Sequence, residues 1–383
     1  MTGVYVHLPF CPYICPYCDF AKWPMRSSAA EQYLAALYAE IGRTPRVLAT
    51  TLFLGGGTPN AYAAATIAGL VAVLRERFGA FEETSIEVNP ELVRAGDFEV
   101  YRAAGISRVS IGVQSFDADE IRTLGRKHTV AQVERVVAWG KAAGIASISL
   151  DLMFAVPGQT RASWQRSLER ALALGVDHIS TYGLTIEATT PYAVWQQREP
   201  SAFFDDGAEA ELYALAIETL AAAEYEHYEI SNFARPGHRC RHNANYWANG
   251  EYVGLGVGAA SYRDGERSVH TRSLQTYIDA AFAAQPIPSE AERLEGARRA
   301  AEAIMLALRT AQGVDLAEFK ERYGIDVVDH YAPVVSRFSH VGLLERTEDR
   351  LRLTPRGRFV ANDVCGAFVT FDEPKPTRRQ HGA

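Results

Sequence analysis

Residues 4–20 read VYVHLPFCPYICPYCDF. A short β-branched run ends at Leu8, and Cys11, Cys15 and Cys18 follow on a loop at C-x3-C-x2-C spacing. Three thiolates this close can converge on one metal cluster. They satisfy three irons of a four-iron four-sulfur cubane and leave the fourth iron open to an outside ligand. Zinc is the competing reading, with His7 as a fourth ligand, but structural zinc usually takes cysteine pairs two residues apart. The other two of the five cysteines, Cys240 and Cys365, stand far off and read as buried thiols, so the chain is no disulfide framework.

Outward from this loop the chain alternates. Apolar, β-branched stretches recur at 4–8, 51–54, 84–88, 108–113, 148–153 and 178–184. Helical periodicity fills 31–41, 64–78, 97–104, 131–143, 162–174 and 206–224, and several of these helices end near Gly79, Gly105, Gly144 or Gly175. Strand–helix alternation predicts a parallel sheet, and six units are fewer than the eight of a closed barrel. The expected fold class is therefore α/β, a partial (β/α)6 barrel over residues 1–225. Residues 226–292 form a connecting segment that carries HNANYW, and the stretch 225–245 is turn-rich and dense in His, Arg and Asn. From 293 to 370 the pattern changes to helices at 294–308, 316–323 and near 328–341 and a hairpin turning at 347–349, the order of a smaller, helical, winged-helix-like domain. The polar tail 371–383 is expected to be disordered.

The strand ends carry the polar residues. LGGGTP at 54–59 sets Gly56, Gly57 and Thr58 where a backbone can approach a ligand closely. The phrases EVNP, GVQSF and DLMF bring Glu87, Gln114 and Asp151 to the same barrel mouth, and LGRKH adds Arg126, a partner for a carboxylate. Any one of these residues could simply cap a loop, but their recurrence marks a site. Tyr5 lies in the first strand, where it reads equally as a cofactor neighbour or as core packing.

With 48% hydrophobic residues in 383 and a net charge of −7, a globular protein is expected that does not bind nucleic acid non-specifically. No apolar run is long enough for a bilayer, and MTGVYVHLPF lacks the features of a signal peptide, so a cytoplasmic location is expected.

The phrases YVHLPFC, CPYCDF, FLGGGTPN, IEVNPE, RVSIGVQSF, LGRKH, DLMFAVPGQT, YEISNFA and HNANYW together resemble the radical S-adenosylmethionine (SAM) superfamily, in its coproporphyrinogen III oxidase-like branch. The likeness runs from Val4 to about Phe368. It implies a 4Fe-4S cluster on the three cysteines and SAM chelating the open iron. Tyr5, Gly56, Gly57, Thr58, Glu87, Gln114, Arg126 and Asp151 would hold SAM. An electron from a donor protein would cleave SAM to a 5′-deoxyadenosyl radical if it is consumed. Within the branch the resemblance favours the heme chaperones over the oxidases, whose pattern continues to a further cysteine where Phe20 stands and whose chains carry an extra N-terminal segment. RHNANYW at 241–247 matches the HNxxYW motif associated with heme binding in the chaperones. It implies heme as a cofactor with His242 as axial ligand. Tyr246 and Trp247 would lie against the porphyrin, and His238 or Cys240 are substitute ligands. Without the resemblance, His242 reads as a histidine capping a turn. The implied partners are heme, an acceptor such as a respiratory hemoprotein and a second copy of the chain, with peripheral contact at the membrane during delivery.

Overall fold

The computed structural model describes residues 1–371, so the tail expected to be disordered lies, from 372 on, outside the described residues. The chain divides into two compact units, Met1–Asn245 with Gly250–Glu292, and Tyr246–Asn249 with the chain from Arg293 on.

In the first unit six strand–helix pairs follow one another: β1 (Thr2–Leu8) and α1 (Ser27–Arg43), β2 (Thr51–Gly56) and α2 (Ala64–Phe78), β3 (Glu83–Val88) and α3 (Asp97–Ala104), β4 (Arg108–Gln114) and α4 (Val130–Ala143), β5 (Ser147–Phe154) and α5 (Arg161–Ala173), β6 (His178–Gly183) and α6 (Asp206–Ala222). The six strands pair in parallel in chain order. The helices form for local reasons. Thr129 and Thr160 close capping boxes at the starts of α4 and α5, and Gly105 and Gly144, in the left-handed region, stop α3 and α4.

Period-two alternation decides the two faces of this sheet. Val4, Val6, Leu8, Leu52, Leu54, Ile86, Val109, Ile111, Leu150 and Leu152 join one apolar core with the helix layer, including Tyr33, Leu70, Val133 and Trp164. The alternate positions carry Tyr5, His7, Thr51, Phe53, Glu83, Glu87, Ser110, Asp151 and Ser180. One face of each strand thus makes the core, and the other lines a polar lumen open at the strands' C-terminal ends.

The segment 226–292, set apart in the sequence, is part of the same sheet. β7 (Glu226–Glu229) and β8 (Asn232–Ala234) extend it antiparallel beyond β6. After the helix α7 (Arg241–Trp247), β9 (Glu251–Leu255) pairs with β1 as a seventh parallel strand. β10 (Ala260–Arg263), β11 (Glu266–His270) and β12 (Ser289–Arg293) complete the other edge, in the order β12-β11-β10-β9-β1-β2-β3-β4-β5-β6-β8-β7.

The second unit holds helices at Gly296–Ala307 and Leu316–Tyr323 and a hairpin of Leu344–Arg346 with Arg350–Leu353, joined by the short strand Val314–Asp315. This is the winged-helix-like order expected. The single helix expected near 328–341 is two, Val327–His330 and Ala332–His340. The break falls just before Pro333, which lacks the N–H that a continuous helix would need.

Candidate functional site

The cysteine loop is strapped at its root. Phe10–Cys11 pairs in parallel with Trp23–Pro24. On that side Trp23 N–H donates to Pro9 O (2.9 Å) and Met25 N–H to Cys11 O (2.8 Å), while on the other Gly57 N–H donates to Leu8 O (2.9 Å) and Thr58 N–H to Phe10 O (3.1 Å). A Cβ on Gly57 would lie 2.6 Å from Pro9 C and 2.8 Å from Leu8 O, so only glycine allows this approach. Cys11 is 8% exposed, and all five cysteines are free thiols. Burial pushes the Cys11 thiol up to about 11 and raises Cys18. His7, the fourth ligand of the zinc reading, is already engaged at both ring nitrogens, Nδ1 with Tyr5 Oη (2.9 Å) and Nε2 with Ala21 O (2.7 Å). Among the described residues no three His, Cys, Asp or Glu side chains close on a single metal ion. A cubane does not require that, because each cysteine takes a different iron corner.

Above the loop, at the C-terminal ends of the parallel strands, lies a cavity of about 680 Å³ lined by Cys15, Cys18, Gly56, Gly57, Thr58, Glu87, Gln114, Arg126 and Asp151, among others. Of the residues expected here, Tyr5 is not in the lining. Its ring stacks on Phe53 at 6.3 Å and its hydroxyl serves His7.

Two carboxyls share the cavity floor. Glu87 Oε2 accepts from Gly56 N–H (3.1 Å), and Asp151 accepts from Ser110 Oγ at 2.9 and 3.0 Å. Burial first, and then the Asp151 charge, push Glu87 up to about 8. Asp151 is also raised by burial, against hydrogen bonds from Ser180 and Ser110. Gln114 sits at φ +65°, a left-handed conformation rare outside glycine, at an irregularity in the β4–β5 register. Arg126 Nη2 donates to Asn89 Oδ1 (2.8 Å) and Gly112 O (2.7 Å), while its buried Nε has no partner among the described residues. An unpaired guanidinium N–H on a residue that lines the same cavity as two carboxyls suits a ligand with both a carboxylate and positive charge.

Sequence reasoning missed Asn89, which orients Arg126, and Ser110, which orients Asp151, although both lie within the quoted phrases. It also missed Tyr182 and Arg272 in the lining. Arg272 stands far from any motif, so nothing local announces it.

His242 is elsewhere. Its ring is 1% exposed at the N-terminal end of the lumen, with Nδ1 2.9 Å from Thr51 Oγ1 and Phe53 packed against it at 5.3 Å. Its backbone N–H and that of Arg241 each donate to the Glu83 carboxylate at 3.1 Å. Burial lowers the imidazole to about 3, so it is neutral. Tyr246 and Trp247 belong to the second unit.

Residues 5–171 match the radical SAM superfamily and 294–360 the HemN C-terminal domain. The solved coproporphyrinogen III oxidase HemN of Escherichia coli superposes with a TM-score of 0.84 at 23% identity, covering 97% of this chain and 90% of that one. Fold and cysteine loop together define a radical SAM protein, a class that carries a 4Fe-4S cluster and SAM. The heme chaperone HemW of Bacillus subtilis is 33% identical over 96% of this chain and 99% of its own length, and that of Escherichia coli 30% identical over 96% and 98%. The chain belongs to the HemW family.

The residues fit those groups: three free thiols on one loop at C-x3-C-x2-C spacing, and a cavity lined by Arg126, whose Nε has no partner among the described residues, and by a carboxyl pair, which suit a ligand with carboxylate, amino and sulfonium groups. Bound there, the cluster supplies an open iron and a reducing electron. With SAM in this cavity, Arg126 would be the partner for its carboxylate and Glu87 and Asp151 the acceptors for its positive charge.

Gly57→Ala should leave the fold intact but drive the backbone off Pro9, so iron and sulfide bound after anaerobic reconstitution should fall well below wild type. A second expectation follows from Glu87. Protonated below about pH 8 in the free cavity, it must ionise to attract a cation, so SAM affinity should rise as pH climbs through that value. SAM's own amine titrates nearby, so the measure is the difference in slope between wild type and Glu87→Gln by equilibrium dialysis. Equal slopes would remove Glu87 from the account.

Proposed function

We propose that this protein takes up heme and passes it to acceptor hemoproteins, with the 4Fe-4S cluster and SAM held at the cysteine loop. The reading is carried by the likeness to heme chaperones over the whole chain, both units included. Phe20 supports it. At the position where the oxidase pattern has its further cysteine, this side chain lines the cavity and is 64% exposed. No helix among the described residues is long and apolar enough to cross a membrane.

His242 is the heme ligand in this reading, and its burial sets a condition. A ring held by Thr51, on a helix start held by Glu83, reaches a porphyrin only after that turn lifts from the barrel. The opening cost lowers the apparent heme affinity by the fraction of molecules that are open.

The preserved SAM cavity favours one second reading, an oxidase that decarboxylates the propionates of coproporphyrinogen III. Both are tested on one reconstituted sample. Heme titration should show stoichiometric binding, weakened tenfold or more by His242→Ala, with no porphyrinogen turnover. Thr51→Val removes one hydrogen bond, worth about 1 kcal/mol, and should tighten apparent heme binding about fivefold. Wild-type binding by His242→Ala would make this histidine a core residue only. SAM-dependent decarboxylation without specific heme binding would install the oxidase.

A further inference from the structure

Three phrases of the sequence meet beneath the cavity in an arrangement that SAM contact alone does not explain. They are PYICPYC at 12–18, IEVNPE at 86–91 and LGRKH at 124–128. Glu91 lies in the short helical turn Pro90–Leu92 after β3. Its Oε1 accepts from Tyr13 Oη (2.5 Å), between two cluster cysteines, and from Asn89 Nδ2 (3.3 Å). Asn89 in turn accepts at Oδ1 from Arg126 Nη2 (2.8 Å) and is itself fixed by Asn60, whose Oδ1 takes the Asn89 N–H (2.9 Å) and whose Nδ2 donates to Asn89 O (3.0 Å). From the third phrase, Lys127 Nζ stands 4.8 Å over the Tyr13 ring, and His128 Nδ1 is 3.9 Å from Glu91 Oε2. A Cβ on Gly125 would fall 2.7 Å from Pro16 Cδ, so this turn packs directly against the cysteine loop.

We propose that Glu91 is a positioning residue that locks the cysteine loop to Arg126, so that the cluster and the site for SAM's carboxylate are held in one frame. The inference rests on the reading of the cavity as a SAM site. SAM must reach iron and guanidinium at once. A loop and an arginine set by separate scaffolds would drift apart by tenths of an ångström, and a chelating ligand would lose affinity although each half stayed intact. One carboxylate between Tyr13 and Asn89 removes that freedom. Glu91→Gln keeps the volume and one acceptor oxygen but loses the charge that Arg126 faces, and Tyr13→Phe cuts the loop side of the lock alone.

The test uses the full chain, reconstituted anaerobically, with iron and sulfide content, SAM affinity by equilibrium dialysis, and the electron paramagnetic resonance spectrum of the reduced cluster with and without SAM. Glu91→Gln and Tyr13→Phe should each load a full cluster yet bind SAM about tenfold more weakly, with a diminished SAM-induced change in the spectrum. The double variant should lose little beyond either single one, because both cut the same link. Wild-type affinity and spectral response in both variants would overturn the lock, as would failure of both to load a cluster, since Glu91 would then only build the loop. Arg126→Gln separates the two levels. If it loses SAM affinity while the Glu91 and Tyr13 variants do not, the lock fails and the SAM reading stands. If it too binds SAM normally, the reading of the cavity fails first.

Discussion

Everything at the barrel mouth depends on one pair of backbone contacts at the root of the cysteine loop. The carbonyls of residues 8–11 accept on one side from Trp23 and Met25 and on the other from Gly57 and Thr58. Four such bonds leave the chain after β1 little freedom, so the first cysteine is placed by sheet geometry rather than by the metal it would bind. The later part of the loop is held by side chains instead, Tyr13 by Glu91 and Pro16 by the turn at Gly125. The requirement falls on Gly57, where any side chain would overlap the backbone of Pro9. A triple glycine after a strand thus has two duties, close approach to a ligand above and close approach to its own chain beside it.

The same economy governs the lumen. Strands buried in an apolar core on both faces would leave no polar interior, but here the alternate positions of β1 to β6 include Thr51, Glu83, Glu87, Ser110, Asp151, His178 and Ser180. Such groups stay buried only when paired. Asp151 with Ser110, and His178 Nδ1 with Ser149 Oγ at 2.8 Å, are pairs between neighbouring strands, so parallel register itself satisfies them. Near the mouth Arg126 Nε is one of several buried polar atoms with no partner among the described residues, and burial and the Asp151 charge push Glu87 up to about 8. Those two features mark the mouth as a binding site more sharply than its shape does.

What was legible in the sequence was local. The six strands lie within a few residues of their expected positions because β-branched runs bounded by turn residues need no knowledge of neighbours, and the cysteine spacing names its own chemistry. The pairing across the sheet was not legible. β9 lies 243 residues beyond the end of β1 (251 − 8), and nothing in EYVGL says that it lies parallel to that strand. The fate of His242 was hidden for a related reason. A segment as polar as RHNANYW carries no local sign of burial, and partners far off in sequence, Glu83 and Thr51 among them, let its start be buried. Glu91 and Asn89 escaped notice because a carboxylate after a strand usually caps a loop, and its link to Tyr13 exists only once the fold has closed.

The two sites of this unit are opposite ends of the same strands. β2 carries Thr51, which holds His242, at its start and Gly56 of the cavity at its end, and β3 carries Glu83 and Glu87 in the same way. At about 3.3 Å per residue, each pair stands roughly 13 to 17 Å apart along one rigid element. A paired strand does not stretch, so occupancy at one end changes the other only through an element with two arrangements. The turn that carries His242 is the element with a defined latch, in which Thr51 holds the ring and Glu83 accepts the N–H groups of Arg241 and His242. The cavity end has its own restraint in the bond from Gly56 N–H to Glu87. Glu83 and Glu87 thus sit four residues apart on β3, one accepting the N–H groups of the helix start and the other lining the cavity, so both ends are framed by one strand that does not stretch.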